Sequence, residues 1–441
     1  MNKKTENKAV SPWQWVPSLY FAQGIPYVVV MSVAVILFKR MGMSNTDIAL
    51  YTSGLNLPWV IKPLWSPLVD LLKTKRWWIV VMQILVGAGL AGIALTIQGP
   101  LAFRYCLAFM WLLAFSSATH DIAADGFYML GLNEKKQACF VGIRNTFYRF
   151  AVIFGQGILV MFAGWLEQRY AREMPETAAI PQAWSLTFYL LTILFALLFV
   201  YHYLFLPHPR RDTCTLPPQQ ASAGRVFKEF LGTFTSFFQK KHIVSALIFI
   251  LLYRFAEAQL VKITSPFLLD TPATGGLALS TAEVGFIYGT IGVIALTIGG
   301  IVGGIAMARR GLKSCLWTMT IAMNLPNIVY LYLSFARPES IGIISGCVAI
   351  EQFGYGFGFT SLTYFMMLFS NGKHQTAHYA ICTGFMALGL MLPGMISGWI
   401  EESIGYRAFF VWIMLCTIPS FWATHLVRKN LTDNHSDNSS R

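Results

Sequence analysis

Charge is what this chain has least of. Asp, Glu, Lys and Arg together make up 12% of its residues, against about 25% in an average soluble domain. Hydrophobic residues reach 55% and aromatic ones 15%. That balance excludes an ordinary globular enzyme and indicates a polytopic membrane protein. Paired cysteines are lacking too: the seven cysteines stand singly, with no CxxC, so neither a disulfide framework nor a zinc site is expected. There is no HExxH, nucleophile elbow or P-loop, so an enzyme is not expected, nor any cofactor or metal. Acidic residues number 20 against 33 basic ones, for a net charge of +13. The basic residues cluster in short loops, as the positive-inside rule requires, which makes nucleic acid an unneeded partner. No small-residue cleavage site follows the first apolar run, 13–38, so that run is read as an uncleaved span.

What the chain does have is long apolar runs. A span needs roughly 20 apolar residues at 1.5 Å each, and polar punctuation divides the chain into about twelve such segments. They are expected at 14–39, 47–72, 77–98, 101–124, 141–164 and 184–206, then 243–269, 281–308, 313–335, 340–369, 376–399 and 405–427. The expected domains are therefore a six-helix half at 1–206, a linker at 207–242 and a second six-helix half at 243–441. In the linker, Phe227, Phe230, Phe234 and Phe238 recur near helical spacing, predicting an amphipathic helix on the membrane surface.

Orientation follows from the basic loops. Lys3, Lys4 and Lys8, then Lys73, Lys75 and Arg76, Lys135 and Lys136, the linker, Arg309 and Arg310, and Arg428 and Lys429 all fall on one side, which the positive-inside rule makes cytoplasmic along with both termini. The opposite loops carry Glu167, Glu173, Glu176, Asp270, Glu401 and Glu402, with Lys39 and Arg40 as exceptions.

Charges inside apolar runs are costly unless protonated, paired or facing water, and so mark function. Glu351 lies about ten residues into one run. Glu257 follows Arg254 by three residues, a spacing that permits an intrahelical pair, and Lys262 shares their helix. Asp121 and Asp125 share a helix face at the depth of Arg144 and Arg149; they read either as a structural ion network at an inner gate or as proton sites. His120 beside them reads as a polar neighbour. Lys62, in a segment with Asn56, is too deep to snorkel and should face a cavity. Gln23 and Tyr27 in FAQGIPYVVV suit a polar, sugar-like ligand, with Tyr148 and Tyr355 as further aromatic lining. Gly354, Gly356 and Gly358 after Glu351 read as close helix packing.

Six spans, a cytoplasmic linker and six more form the plan of the major facilitator superfamily, an all-α integral membrane fold of two pseudo-symmetric halves. SPLVDLLKTKR resembles that superfamily's G-x-x-x-D-x-x-x-[KR] signature, with Ser66 for glycine and Asp70 kept; GGIVGGIAMARRGLK repeats the glycines and basic residues without the acid. Asp70, Arg76 and Arg144 are then gate braces rather than ligand contacts.

FAQGIP, IKPLWSPLVD, HDIAADGFY, YRFAEA, EQFGYGFG and QTAHYAICTGF together resemble, in the same order, the AmpG-type muropeptide permeases of the peptide/acetyl-CoA transporter family. Lys62, Asp70, Asp121, Asp125, Arg149, Arg254, Glu257 and Glu351 fall on that family's charged positions. His120 and Tyr355 depart from its pattern, and Lys262 has no clear counterpart. The resemblance implies a monomeric proton symporter of the bacterial cytoplasmic membrane, importing peptidoglycan-derived amino sugars. Glu351, Glu257, Asp121 and Asp125 would handle protons. Gln23, Tyr27, Asn56, Lys62, Tyr148, Arg149, Arg254 and Tyr355 would hold the solute. Uptake of another glycan product, a siderophore or an acyl-CoA-like compound stays open, as does a non-transporting membrane sensor. Drug efflux is disfavoured because FGQGILVMFAG lacks the antiporters' glycine-proline pair.

Overall fold

The computed structural model describes residues 11–209, 212, 232, 234–371 and 375–439, apart from some side chains, that of Asp70 among them. The described residues are helical and connected by short turns. In chain order the long helices are α1 (Pro12–Arg40), α2 (45–72), α3 (Lys75–Thr96), α4 (Ala102–Gly131), α5 (134–170), α6 (Glu176–Phe205), α7 (Ile243–Leu269), α8 (281–310), α9 (312–336), α10 (Ile341–Ser370), α11 (375–404) and α12 (406–439).

Local chemistry sets these ends. The side chains of Ser44, Thr74, Asn133 and Ser280 accept from backbone N–H groups three residues on, at Asp47, Trp77, Lys136 and Glu283, satisfying donors that a first helical turn leaves orphaned. Two joins need glycine. Gly311 and Gly405 have φ of +71° and +75°, in the left-handed region where a β-carbon is penalised, and they separate α8 from α9 and α11 from α12.

Eight helical stretches among the described residues are long and apolar enough to cross a membrane, and two of them, Thr281–Ala336 and Ala377–Asn430, are the pairs joined at those glycines. The stretches at 45–72 and Ile341–Ser370 fall outside that set. They carry Asn56, Lys62 and Glu351, the polar load expected of helices that line an interior.

The expected spans correspond to these helices, with shifted ends (α5 begins at 134 and α6 at Glu176, seven and eight residues earlier than expected, and α12 runs on to 439) and with internal breaks. α4 and α5 run to Gly131 and Tyr170, past the expected ends at 124 and 164; α4 ends where Leu132 turns extended, and Asn133 caps the start of α5. α2 is interrupted at Leu55 and Asn56, where Pro58 begins the second segment. α7 is interrupted at Tyr253 and Arg254. Of the expected amphipathic helix, 234–238 is helical, and Phe237 is buried against Phe369, His378 and Phe385. Phe227 and Phe230 lie outside the described residues.

Three helices contain π turns: α1 at Val29–Val33, α5 at Ile153–Ile158 and α8 at Gly285–Gly292. Such turns free backbone groups and recur at functional sites. The last two pack on each other so closely that a β-carbon on Gly289 would sit 2.0 Å from the Gln156 carbonyl oxygen. The α10 glycines serve packing as expected, since β-carbons on Gly354 and Gly356 would lie 2.1 Å and 2.0 Å from the carbonyls of Ala322 and Leu296.

Candidate functional site

The first group of functional side chains lies among α1, α2, α4 and α5. Lys62 Nζ is 3.1 Å from Asp121 Oδ2, and Gln23 Nε2 donates to the other carboxylate oxygen. Four residues on, Asp125 accepts from Tyr20 OH at 3.1 Å and pairs with Arg144 at 3.2 Å. The Arg144 guanidinium also rests over Tyr20 at 4.5 Å and Tyr128 at 5.2 Å, a cation–π arrangement. The two aspartates thus hold separate cations. Side-chain exposures of 25% and 20% for Lys62 and Asp121, and 26% and 39% for Arg144 and Asp125, leave both pairs part-exposed between the helices. The network ties helices within the first half rather than joining the two halves.

Above it, Tyr27 meets Trp59 edge-on at 5.3 Å and Tyr148 at 6.4 Å. Arg149 makes no ion pair among the described residues. From the second half, Arg254 donates to Tyr355 OH at 2.5 Å and lies over the Tyr355 and Phe359 rings at 5.1 Å and 5.0 Å. Tyr27 lies within electrostatic range of Arg254, and Tyr355 within range of Arg149, so rings and cations from both halves lie near one another. Asn56 donates back to the Ser53 carbonyl at 3.1 Å, at the break in α2.

The intrahelical Arg254–Glu257 pair permitted by spacing does not form. The break in α7 leaves Arg254 with φ −107° and ψ 22°, turning its side chain to Tyr355. Glu257 is buried, with Oε2 unpartnered. Near it lies Glu351, close enough for the two carboxyls to repel, which accepts from Tyr330 OH at 3.1 Å and Gln352 Nε2 at 3.0 Å. The two carboxyls are thus neighbours in a water-poor setting, one hydrogen-bonded and the other with an oxygen left free.

Arg76, expected as a gate brace, lies against the end of α6. Its guanidinium donates to the Leu206 carbonyl at 3.3 Å and to the Tyr203 carbonyl, closing the C-terminal end of α6. Its backbone N–H, with that of Lys75, donates to Asp212. A basic side chain beside a helix C-terminus finds orphan carbonyls there. The Asp70 side chain is outside the described residues.

Sequence reasoning did not select the residues that join the halves. Lys39 Nζ is 2.7 Å from Asp270 Oδ1 and donates to Asn45 Oδ1 at 2.8 Å. Asn45 Nδ2 donates to Glu401 at 2.6 Å and to Tyr406 OH at 2.8 Å, while Tyr406 donates to Asp270 at 2.6 Å. Arg40 pairs with Glu167 at 3.1 Å, and Thr281 donates to the same Glu167 oxygen at 2.7 Å. A β-carbon on Gly398 would meet the Asn45 carbonyl at 1.9 Å. This clasp closes the end of the bundle opposite the chain termini. Its signal was Lys39 and Arg40, the two cations on the wrong side of the charge rule, facing acids in loops of the same side.

A helical bundle with an interior line of paired charges, closed at one end by contacts between halves, is a transporter architecture. Residues 18–376 match the Major Facilitator Superfamily, and the chain belongs to that family; it is a multi-pass membrane transporter. Over nearly its whole length it is similar to AmpG 4 of Rickettsia conorii, at 25% identity over 415 residues, covering 92% of this chain and 93% of that protein. It is likewise similar to the anhydromuropeptide permease of Escherichia coli K12, at 24% identity over 420 residues, 94% of this chain and 79% of that one. The resemblance to AmpG-type permeases thus extends along the chain. Among solved structures, the D-xylose–proton symporter shares the fold with a TM-score of 0.68 at 13% identity, covering 94% of this chain and 96% of that one.

Proposed function

We propose that the protein imports amino-sugar solutes of the muropeptide class across a bacterial inner membrane, coupled to proton entry. The observation that carries this reading is the convergence of Tyr27, Tyr148, Arg149, Arg254 and Tyr355 from two halves on one cleft. Stacking rings suit pyranose faces, and two guanidinium groups suit a carboxylate, bidentately. The name of the Escherichia coli relative supports the same solute class.

Coupling falls to the buried Glu257 and Glu351, whose shared proton would cross with the solute. One proton moving down 100 mV supplies about 2.3 kcal/mol, enough to concentrate a neutral solute several tens of fold. Lys62–Asp121 and Arg144–Asp125 hold the first half together in the resting state and exchange partners as it moves; a proton role for either aspartate is the alternative assignment. Asn56, at the hinge in α2, lets the helix bend as the halves rock. With the termini in the cytoplasm, Asp70 and Arg76 would lie at the inner end and the clasp would be the outer gate. The halves at 1–206 and 243–441 would rock as rigid units around the linker at 207–242, within one monomer.

The test is uptake of radiolabelled N-acetylglucosaminyl-1,6-anhydro-N-acetylmuramic acid by cells expressing the protein, with and without a protonophore. Accumulation abolished by the protonophore supports the reading. Absence of uptake by correctly inserted protein refutes the solute class.

A further inference from the structure

Lys262 is the charged group that the reading above leaves unused. It lies in α7 and is only 2% exposed, yet no hydrogen bond or ion pair to it is present among the described residues. A buried ammonium is costly unless an anion or several acceptors compensate it. None of the nearby acids pairs with it: Asp270 holds Lys39 and Tyr406, Glu351 holds Tyr330 and Gln352, and Glu257, five residues back on α7, keeps Oε2 unpartnered without forming an ion pair to Lys262.

A second polar group without a partner lies on the facing helix. Ser53, fully buried in α2, has an unpartnered Oγ. Both residues border Gly394 of α11, where a β-carbon would sit 2.7 Å from Ser53 Oγ and 3.5 Å from Lys262 Cγ. Gly394 thus lets α11 pack directly against this donor and the stem of this cation, at the junction of the two halves. Along α7, Lys262 stands eight residues below the clasp at Asp270 and eight above Arg254, about 12 Å each way at 1.5 Å per residue.

The geometry points to an anion subsite directly beneath the clasp, in which Lys262 Nζ and Ser53 Oγ receive a carboxylate of the incoming solute before it reaches Arg149 and Arg254. The inference rests on the proposed solute class and deepens it: the solute must carry a carboxylate, and Lys262 is the residue that selects it. When the clasp opens, an ammonium otherwise sealed away meets the outside first. An anionic solute then supplies the charge the protein withholds.

The experiment compares binding of N-acetylmuramic acid and N-acetylglucosamine, which differ by a lactyl carboxylate, to purified full-length protein by thermal shift and calorimetry. Wild type should bind the acid at least tenfold more tightly. Lys262→Gln should lose that preference while still binding the neutral sugar, and Lys262→Arg should restore most of it. Retained acid preference in Lys262→Gln overturns the subsite. Should neither sugar bind wild type, lactate is the second probe: lactate binding that Lys262→Gln removes keeps the subsite while the amino-sugar reading falls. No lactate binding refutes both. Should Lys262→Gln fail to fold, Ser53→Ala takes its place, with a severalfold loss of acid preference expected and an unchanged preference overturning the subsite.

Discussion

Lys39 and Asp270 meet at 2.7 Å across the two halves, with side chains 14% and 19% exposed. On the proposed alternating-access reading they are the centre of a contact that would break each time the transporter opens at that end. Exposed ion pairs contribute about 0–1 kcal/mol, whereas this one is largely shielded and shares Asp270 with Tyr406. Lys39→Gln should therefore weaken closure by about 1–2 kcal/mol, moving the population severalfold toward the open-clasp state. A cysteine placed at Thr46 should become labelled faster from outside. The swap Lys39→Asp with Asp270→Lys should recover most of the wild-type rate; no recovery would remove the pair from the gate.

Lys62 and Asp121 predict an asymmetry in stability. Removing one member leaves the other charge in a poorly solvated cleft, which costs 3–5 kcal/mol for a fully buried pair and about half that here, since both keep a fifth to a quarter of their exposure. Asp121→Asn alone should lower the melting temperature in detergent. Lys62→Gln with Asp121→Asn should melt closer to wild type than Asp121→Asn does. Additive losses in the double variant would contradict the pairing.

Gly398 and Gly304 make a matched test of helix contact. A β-carbon on Gly398 would overlap the Asn45 carbonyl at 1.9 Å, while nothing lies within 4 Å of one on Gly304. Overpacking costs about 1–3 kcal/mol, so Gly398→Ala should hold the clasp end apart and reduce solute turnover strongly. Gly304→Ala should transport as wild type does. Equal effects would mean that α2 and α11 do not close on each other.

Arg76 predicts a structural rather than a gating phenotype. Because its guanidinium reaches the carbonyls of Leu206 and Tyr203 at the end of α6, Arg76→Ala should cost about 1–2 kcal/mol, seen as a lowered melting temperature with the solute's KM unchanged. A changed KM with normal stability would return Arg76 to the gate.

The arrangement of helices was legible because apolar length and punctuation act locally, and each expected span has a helix over it. The charged interior was legible for the same reason: Lys62, Asp121, Asp125, Arg254 and Glu351 are conspicuous in apolar surroundings. Partnership was not. Spacing permitted a pair of Arg254 with Glu257, but a backbone break at Tyr253 and Arg254 leaves the arginine on Tyr355. Asp121 and Asp125 looked alike in sequence and hold different cations, because Lys62 and Arg144 arrive from different helices. The clasp was hidden for a plainer reason. Its members lie at helix ends, where charge is ordinary, and only the wrong-side position of Lys39 and Arg40 hinted at a purpose.

Glu351 carries the central claim that proton entry drives accumulation. The direct measurement compares two modes of labelled solute movement in proteoliposomes bearing Glu351→Gln: net accumulation under an imposed proton gradient, and exchange between equal solute concentrations without one. Glutamine keeps the contacts to Tyr330 and Gln352 but cannot release a proton. Abolished accumulation with exchange preserved is the predicted result, and undiminished accumulation would contradict it.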